Sequence, residues 1–289
     1  MQLTQYVNAS DFLAAARPAL EAQEAANNLM YGLALRLEAH PERIQIPPFY
    51  AAVHGLGGLA AAALMTPPHN LIVLSNRPEE ERAALDQVAR HLLSGGWSVP
   101  GVLGPNAPAL SFARAWSALT GQTATLAMHE RIYQLRAVIP PPQPGGALRP
   151  ALEGDLELAA RWLHDFEAEA LPMQKHSLEA ARETARQKIS DWDLYLWEDG
   201  EAVAMAGRVR PTPHGWCVGP VYTPPERRGR GYASALTAEL SQLLLDAGKQ
   251  FVSLFTNLAN PVSNSIYQKI GYRPLCDFDL YRFGEEQAR

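Results

Sequence analysis

PPERRGRGYASAL, residues 224–236, decides how this chain is read. It follows an apolar, strand-like run over residues 216–223 and opens a helical pattern. Arg227, Arg228 and Arg230 surround Gly229 and Gly231 where that helix begins. The first amides of a helix have no partner inside it, and its dipole is positive at that end. Glycine lets the chain turn tightly and lets a phosphate approach the main chain. Strand, glycine–arginine loop and helix together make a phosphate cradle.

Residue patterns narrow what the cradle holds. No GxxxxGK[ST] occurs, which excludes a Walker loop, and Gly229-x-Gly231-x-x-Ser234 lacks the third glycine of the dinucleotide fingerprint. The next strand-like run, residues 251–256, ends at Asn257 rather than at a ribose-binding acid. RGRG occurs once, without the repetition of an RNA-binding arginine–glycine segment. On its own the loop also reads as a solvated basic turn before an ordinary helix.

A second segment, NPVSNSIYQKIGY at residues 260–272, tips that balance. Asn260 suits an N-cap and Pro261 the first helical position. Ile266 and Ile270 share a face, and Gly271 supplies a stop. Tyr267 sits on a short helix just beyond a strand. Alone this is a capped helix with a half-buried tyrosine. In order after the cradle, Asn260, Ser263, Tyr267 and the pair Gly271-Tyr272 resemble the C-terminal signature of the GNAT (GCN5-related) N-acetyltransferase superfamily. The cradle likewise resembles that superfamily's acyl-CoA pyrophosphate loop, [QR]xxGx[GA], with one departure: Glu226 stands where Gln or Arg is usual. The resemblance runs from about residue 148 to 283.

Several expectations follow from it. The cofactor is acetyl-CoA as co-substrate, without a metal. Its pyrophosphate is held by main-chain amides of Arg228, Gly229, Arg230, Gly231, Tyr232 and Ala233, with Arg227 and Arg230 pairing with phosphate. Gly219-Pro220 interrupts the preceding strand; proline gives no donor to a ladder and marks an edge or a bulge. The resemblance implies the bulge, with the strand splaying from residues 251–256 so that Val221, Tyr222 and Thr223 bond the pantetheine arm. Asn260 and Tyr267 line the far end of that arm, and Tyr267 stabilises the leaving thiolate. A tyrosine near ~10 and a thiol near ~8.5 make full proton transfer uphill by roughly 2 kcal/mol, so the role is hydrogen bonding. Asp165, Glu169 and His176 fall in the first helices, which overhang the acceptor in this superfamily. None is assigned as base, and a water relay serves equally. The reaction is acetyl (acyl) transfer to a primary amine by direct attack. The alternative is a non-catalytic acyl-CoA sensor or interaction protein.

Composition sets the outer limits. At 289 residues, two domains are expected rather than one. The net charge of −5, with no basic tail, argues against a general nucleic-acid binder. Cys217 and Cys276 are too few for a disulfide framework or a CxxC metal site and fit a reducing cytosol. MQLTQYVNASD lacks the basic and apolar regions of a signal peptide, and the longest apolar run, residues 56–65, is about half a membrane span. A cytoplasmic protein is expected, with an acyl-CoA and an amine as partners.

PPPQPGG, residues 140–146, is the clearest punctuation. The expected division is an N-terminal domain over 1–139, a Pro/Gly linker over 140–147 and a catalytic domain over 148–289. The fold class expected is α/β: two tandem GNAT-like domains, each a mostly antiparallel sheet split at a parallel pair and flanked by helices. The N-terminal half repeats the rhythm of the C-terminal half without its chemistry. After its strand at residues 70–75 comes NRPEEER, in which Glu79, Glu80 and Glu81 line the place where phosphate would sit. Three acids suit a helix start but repel a pyrophosphate. This half is therefore expected to be a degenerate domain that has lost CoA binding.

Overall fold

The structure, a computed structural model, describes residues 1–170 and 177–284. Its secondary elements run through one pattern twice. The first pass is β1 (Gln2–Tyr6), α1 (Ala9–Ala22), α2 (Asn28–Ala39), β2 (Phe49–Gly55), β3 (Gly58–Met65), β4 (Leu71–Leu74), α3 (Pro78–Ser94), β5 (Gly101–Pro105), α4 (Asn106–Thr120) and β6 (Thr123–Leu135). The second is β7 (Ala147–Pro150), α5 (Leu156–Ala170), α6 (Leu178–Ser190), β8 (Leu194–Asp199), β9 (Glu201–Val209), β10 (Gly215–Tyr222), α7 (Tyr232–Asp246), β11 (Phe251–Asn257), α8 (Pro261–Lys269) and β12 (Arg273–Gly284). The order of strands and helices is the same in both.

Two compact units result, and they are not the two sides of the proline-rich segment. One comprises the described residues of Met1–Ile132, Phe255–Asn260 and Pro274–Arg289; the other those of Tyr133–Leu254 and Pro261–Arg273. The expected linker at 140–147 thus lies inside the second unit. The C-terminal strand β12 pairs with β5 of the first unit, antiparallel, from Phe278↔Pro105 to Arg282↔Gly101.

In the first unit β1 to β4 are antiparallel neighbours and β4 pairs parallel with β5. Both faces of this sheet are covered. Alternate residues of β2 and β3 go to opposite cores: Ala51, Val53, Ala61 and Ala63 pack with α3 and α4, while Tyr50, Ala62 and Leu64 pack with α1 and α2. A strand buried on both faces reads as a continuous apolar run, which is why residues 60–65 show no polar alternation.

The second unit repeats the plan. β7, β8, β9 and β10 are antiparallel neighbours, and β10 pairs parallel with β11. Tyr195 and Trp197 of β8 join the core under α7, while Leu194 and Leu196 join the one under α5 and α6. The hairpin between β8 and β9 turns at Asp199-Gly200, with Gly200 at φ 72°. Arg149 of β7 fixes the entry to α5: its guanidinium bonds both oxygens of Asp155, at 2.7 and 3.0 Å, and Glu198 of β8.

Candidate active site

β10 carries the first part of the site. Its parallel register with β11 covers only Gly215↔Phe251, Trp216↔Val252 and Cys217↔Ser253. On its other side it stays paired with β9, but with one extra residue between Val218↔Arg208 and Val221↔Ala206. Gly219 and Pro220 occupy that bulge. Gly207 of β9 makes room for it, since a Cβ there would lie 2.8 Å from the Gly219 carbonyl oxygen. The bulge and the parting of the parallel pair are the features expected of this strand.

The main chain of Val221 and Tyr222 therefore runs beyond the parallel ladder. The Tyr222 side chain does not serve the same opening. It is buried against Trp162 of α5, ring centroids 6.3 Å apart, and its phenol is pushed up by burial and by Glu169 and Asp165. Thr223 has a buried hydroxyl without a hydrogen-bond partner among the described residues, and its carbonyl accepts from Arg228 Nε at 2.9 Å.

The loop comes next. Pro225–Arg227 forms a single 3-10 turn. Gly229 and Gly231 then sit at φ 79° and 86°, left-handed conformations that disfavour any side chain. Gly231 is the N-cap of α7 and brings no side-chain oxygen to its first amides. Tyr232 turns inward, its hydroxyl donating to Asp199 at 2.7 Å, and that hydrogen bond raises its pKa. Ala233 follows on the first turn and is half-buried.

The arginines divide in a way the sequence does not show. Arg227 pairs with Glu201, and Arg228 Nη2 with both oxygens of Glu169, so neither guanidinium is turned to a phosphate. Arg227 had been expected to pair with phosphate. Arg230 makes no ion pair among the described residues.

Tyr267 lies on α8, 8% exposed. Burial pushes its phenol up to about 12, against a smaller opposing effect of the Ser263 hydroxyl one turn earlier. Its ring meets that of Tyr272 edge-on, centroids 6.1 Å apart at 64°. Tyr272 is fully buried and its hydroxyl shares a 2.8 Å hydrogen bond with Ser241 of α7. The sequence reading missed this support, because a serine and a tyrosine 31 positions apart share no local pattern. Asn260 clusters with the first unit; it is exposed and its amide donates to the Asn257 carbonyl at 3.0 Å.

Of the acceptor-side candidates, Asp165 is half exposed beside His164, and Glu169 is engaged by Arg228. His176 lies outside the described residues. No group of three or more His, Cys, Asp or Glu placed to hold a metal occurs among the described residues. In the first unit the corresponding helix start is filled from within. Arg77 donates to the Gly57 carbonyl at 2.9 Å and pairs with Glu79 and Glu80. The Glu80 carboxylate fills the space where a Cβ on Gly55 would stand, within 1.7 Å of it.

A sheet that parts between a parallel pair beside a glycine-turned helix start is the arrangement that the resemblance to the GNAT superfamily leads one to expect. Residues 196–281 match the family model of FR47-like proteins. No curated protein matches the sequence. Solved structures with the same fold include a Drosophila protein (TM-score 0.69, 13% identity, 98% of each chain covered). A GCN5-related N-acetyltransferase from Sphaerobacter thermophilus matches at TM-score 0.62 and 17% identity, over 99% of this chain and 98% of its own. A tandem GNAT protein from the clavulanic acid biosynthesis pathway matches at 0.58 and 14%, over 97% and 98%. The chain thus has the fold of these GNAT structures over nearly its whole length.

Proposed function

We propose that this chain is an N-acetyltransferase that moves an acetyl group from acetyl-CoA to a primary amine by direct attack, with the second unit as its working domain. The observation that carries this is the parting of β10 from β11 after Cys217↔Ser253, followed at once by the Gly229–Gly231 turn into α7. The diphosphate docks on the amides of residues 228–233, and the pantetheine arm bonds the main chain of Val221, Tyr222 and Thr223. The amide of Val221 polarises the thioester carbonyl, where an oriented N–H stabilises the oxyanion as it develops.

The neutral amine attacks the thioester carbon, the tetrahedral intermediate loses the nitrogen's proton to water and collapses with cleavage of the C–S bond, and CoA leaves as thiolate. Tyr267 donates a hydrogen bond that strengthens as sulfur gains charge. With its phenol near 12 and a thiol near ~8.5, full proton transfer is uphill by about 5 kcal/mol, so the proton stays on oxygen. Direct attack is favoured over an acyl-cysteine route by the thiols. Cys217 is fully buried, and burial pushes Cys276 up to about 11, where little thiolate exists at neutral pH. The first unit, its helix start filled by Arg77 and Glu80, binds no CoA in this reading. Both cysteines are free and no described helix is long and apolar enough to cross a membrane, which supports a cytoplasmic protein.

Calorimetric titration with acetyl-CoA and with NAD, followed by a thiol-release assay over a panel of amines, tests the proposal. Acetyl-CoA binding with amine-dependent thiol release is expected. Binding without release for any amine would favour the sensor reading, and NAD binding alone would overturn both.

A further inference from the structure

Residues 140–144, PPPQP, lie against the start of α7 and the end of α8 rather than spanning between units. The segment is tied down just upstream, where the Ile139 amide donates to the Ile270 carbonyl at 3.0 Å. The chain also passes so close to Gly271 that a Cβ there would lie 2.7 Å from the Ala137 carbonyl oxygen. Pro141 and Pro144, three apart, are half-buried, while Pro142 and Gln143 between them are exposed. That is the threefold periodicity of a polyproline helix seated on one edge, a stiff wall with little entropy to lose.

Between this strap and the helices is a cavity of 350 Å³, lined also by Arg230, Gly231, Ser234 and Lys269. Its two charged lining residues are both cations. Neither makes an ion pair among the described residues, although Arg227 and Arg228, in the same RRGRG loop, are each spent on a glutamate. Lys269 also borders a neighbouring cavity of 480 Å³ on the outer face of α8. Gly231 places the first cavity directly beside the helix start proposed to hold the diphosphate.

We infer that Lys269 and Arg230, walled by the 140–144 strap, bind the phosphomonoester on the ribose of the acyl-CoA. This rests on the acyl-CoA reading above. A coenzyme A molecule carries that one further phosphate beyond its diphosphate. A phosphomonoester bears a charge between −1.5 and −2 near neutral pH, because its second pKa is about 6. Two cations without a carboxylate partner among the described residues, Arg230 resting against the Tyr232 hydroxyl, lie beside the helix start and match it; Ser234 offers a hydroxyl donor. The strap comes from the segment preceding β7 and not from the cradle motif.

The test is calorimetric titration of the full chain with CoA and with 3′-dephospho-CoA, repeated on Lys269→Gln and Arg230→Gln. The native protein is expected to prefer CoA by about 5- to 10-fold, as two exposed charge-assisted contacts allow. Lys269→Gln should lower CoA affinity, leave dephospho-CoA affinity unchanged, and so compress the ratio toward one, while Arg230→Gln, in the diphosphate loop, should lower CoA affinity more than dephospho-CoA affinity. The preference should also shrink with added salt. Equal affinity for the two ligands in the native protein would overturn the inference while leaving the acyl-CoA reading standing. Equal weakening of both ligands by Lys269→Gln would overturn it too, pointing to a structural lysine at the helix end. Binding of neither ligand would remove both readings. Inorganic phosphate alone should give no binding heat; saturable phosphate binding without CoA discrimination would show a free-phosphate site instead.

Discussion

Arg228 Nη2 lies 2.8 and 2.7 Å from the two carboxylate oxygens of Glu169, while its Nε donates to the Thr223 carbonyl. The guanidinium at the head of the cradle is thus committed to the end of α5. Both side chains are about half exposed, 47% and 48%, so the pair contributes at most about 1 kcal/mol. Its consequence concerns binding. If the diphosphate is held by amides, Arg228→Ala should weaken CoA by less than about 3-fold in calorimetry. A loss of tenfold or more would mean that the guanidinium leaves Glu169 for phosphate.

Tyr267→Phe should lower kcat by about 10- to 100-fold and leave the CoA dissociation constant nearly unchanged, as expected of a hydrogen bond made mainly to the leaving sulfur. The phenol, raised to about 12, stays protonated throughout the usual assay range. The rate should therefore rise with pH as the amine deprotonates, with no falling limb below about pH 11. A falling limb near pH 9 that vanished in Tyr267→Phe would assign this residue an acid role instead.

Gly231 sits at φ 86° and caps α7, so Gly231→Val forces a β-branched residue into the left-handed region. A cost of about 1–2 kcal/mol in stability is expected, with CoA binding lost as the first amides are displaced. Thermal unfolding measures the first and titration the second. A folded variant with native CoA affinity would remove the cradle from the account.

The contrast between the two helix starts sets the stoichiometry. With Arg77 and Glu80 filling the one at α3, titration should give one CoA per chain. A second site of comparable affinity that survives Gly231→Val would place binding in the first unit.

Asp155 is held below the usual carboxylate range, first by its hydrogen bonds to Arg149 and then by the Leu152 amide. Its folded pKa is lower than its unfolded one, so its contribution is complete above the unfolded value near ~3.9 and is lost as pH falls through the folded value. Asp155→Asn should cost about 1–2 kcal/mol at pH 7, and the gap to the native protein should narrow as pH falls through the depressed folded value. Melting curves at pH 7 and in acid check this; a gap that did not narrow in acid would place the loss in packing rather than charge.

Local features of the site were legible in the sequence. RGRG demanded a turn, and Gly229 and Gly231 make it; Gly219-Pro220 announced a bulge, and β10 has one. Long-range pairings were not legible. Glu201 and Glu169 are as polar as any other surface acid, and nothing local marks them as partners of Arg227 and Arg228. The proline-rich segment was read by composition as a linker, because composition reports stiffness and not what the stiff segment leans on. β6 escaped notice because MHERIYQ mixes charge and aromatics without a clean alternation. The pairing of β12 with β5 was not legible either, since strand pattern does not encode a partner about 170 positions away.

The pairing of β12 with β5 also governs how the gene can be cut. A fragment ending at residue 139 lacks the ribbon that β5 hydrogen-bonds, and one starting at 140 carries that ribbon with no place to lay it. Exposed strand edges of this kind invite aggregation. Mixing the two fragments should restore solubility where neither alone is soluble, because the last strand then regains its β5 partner.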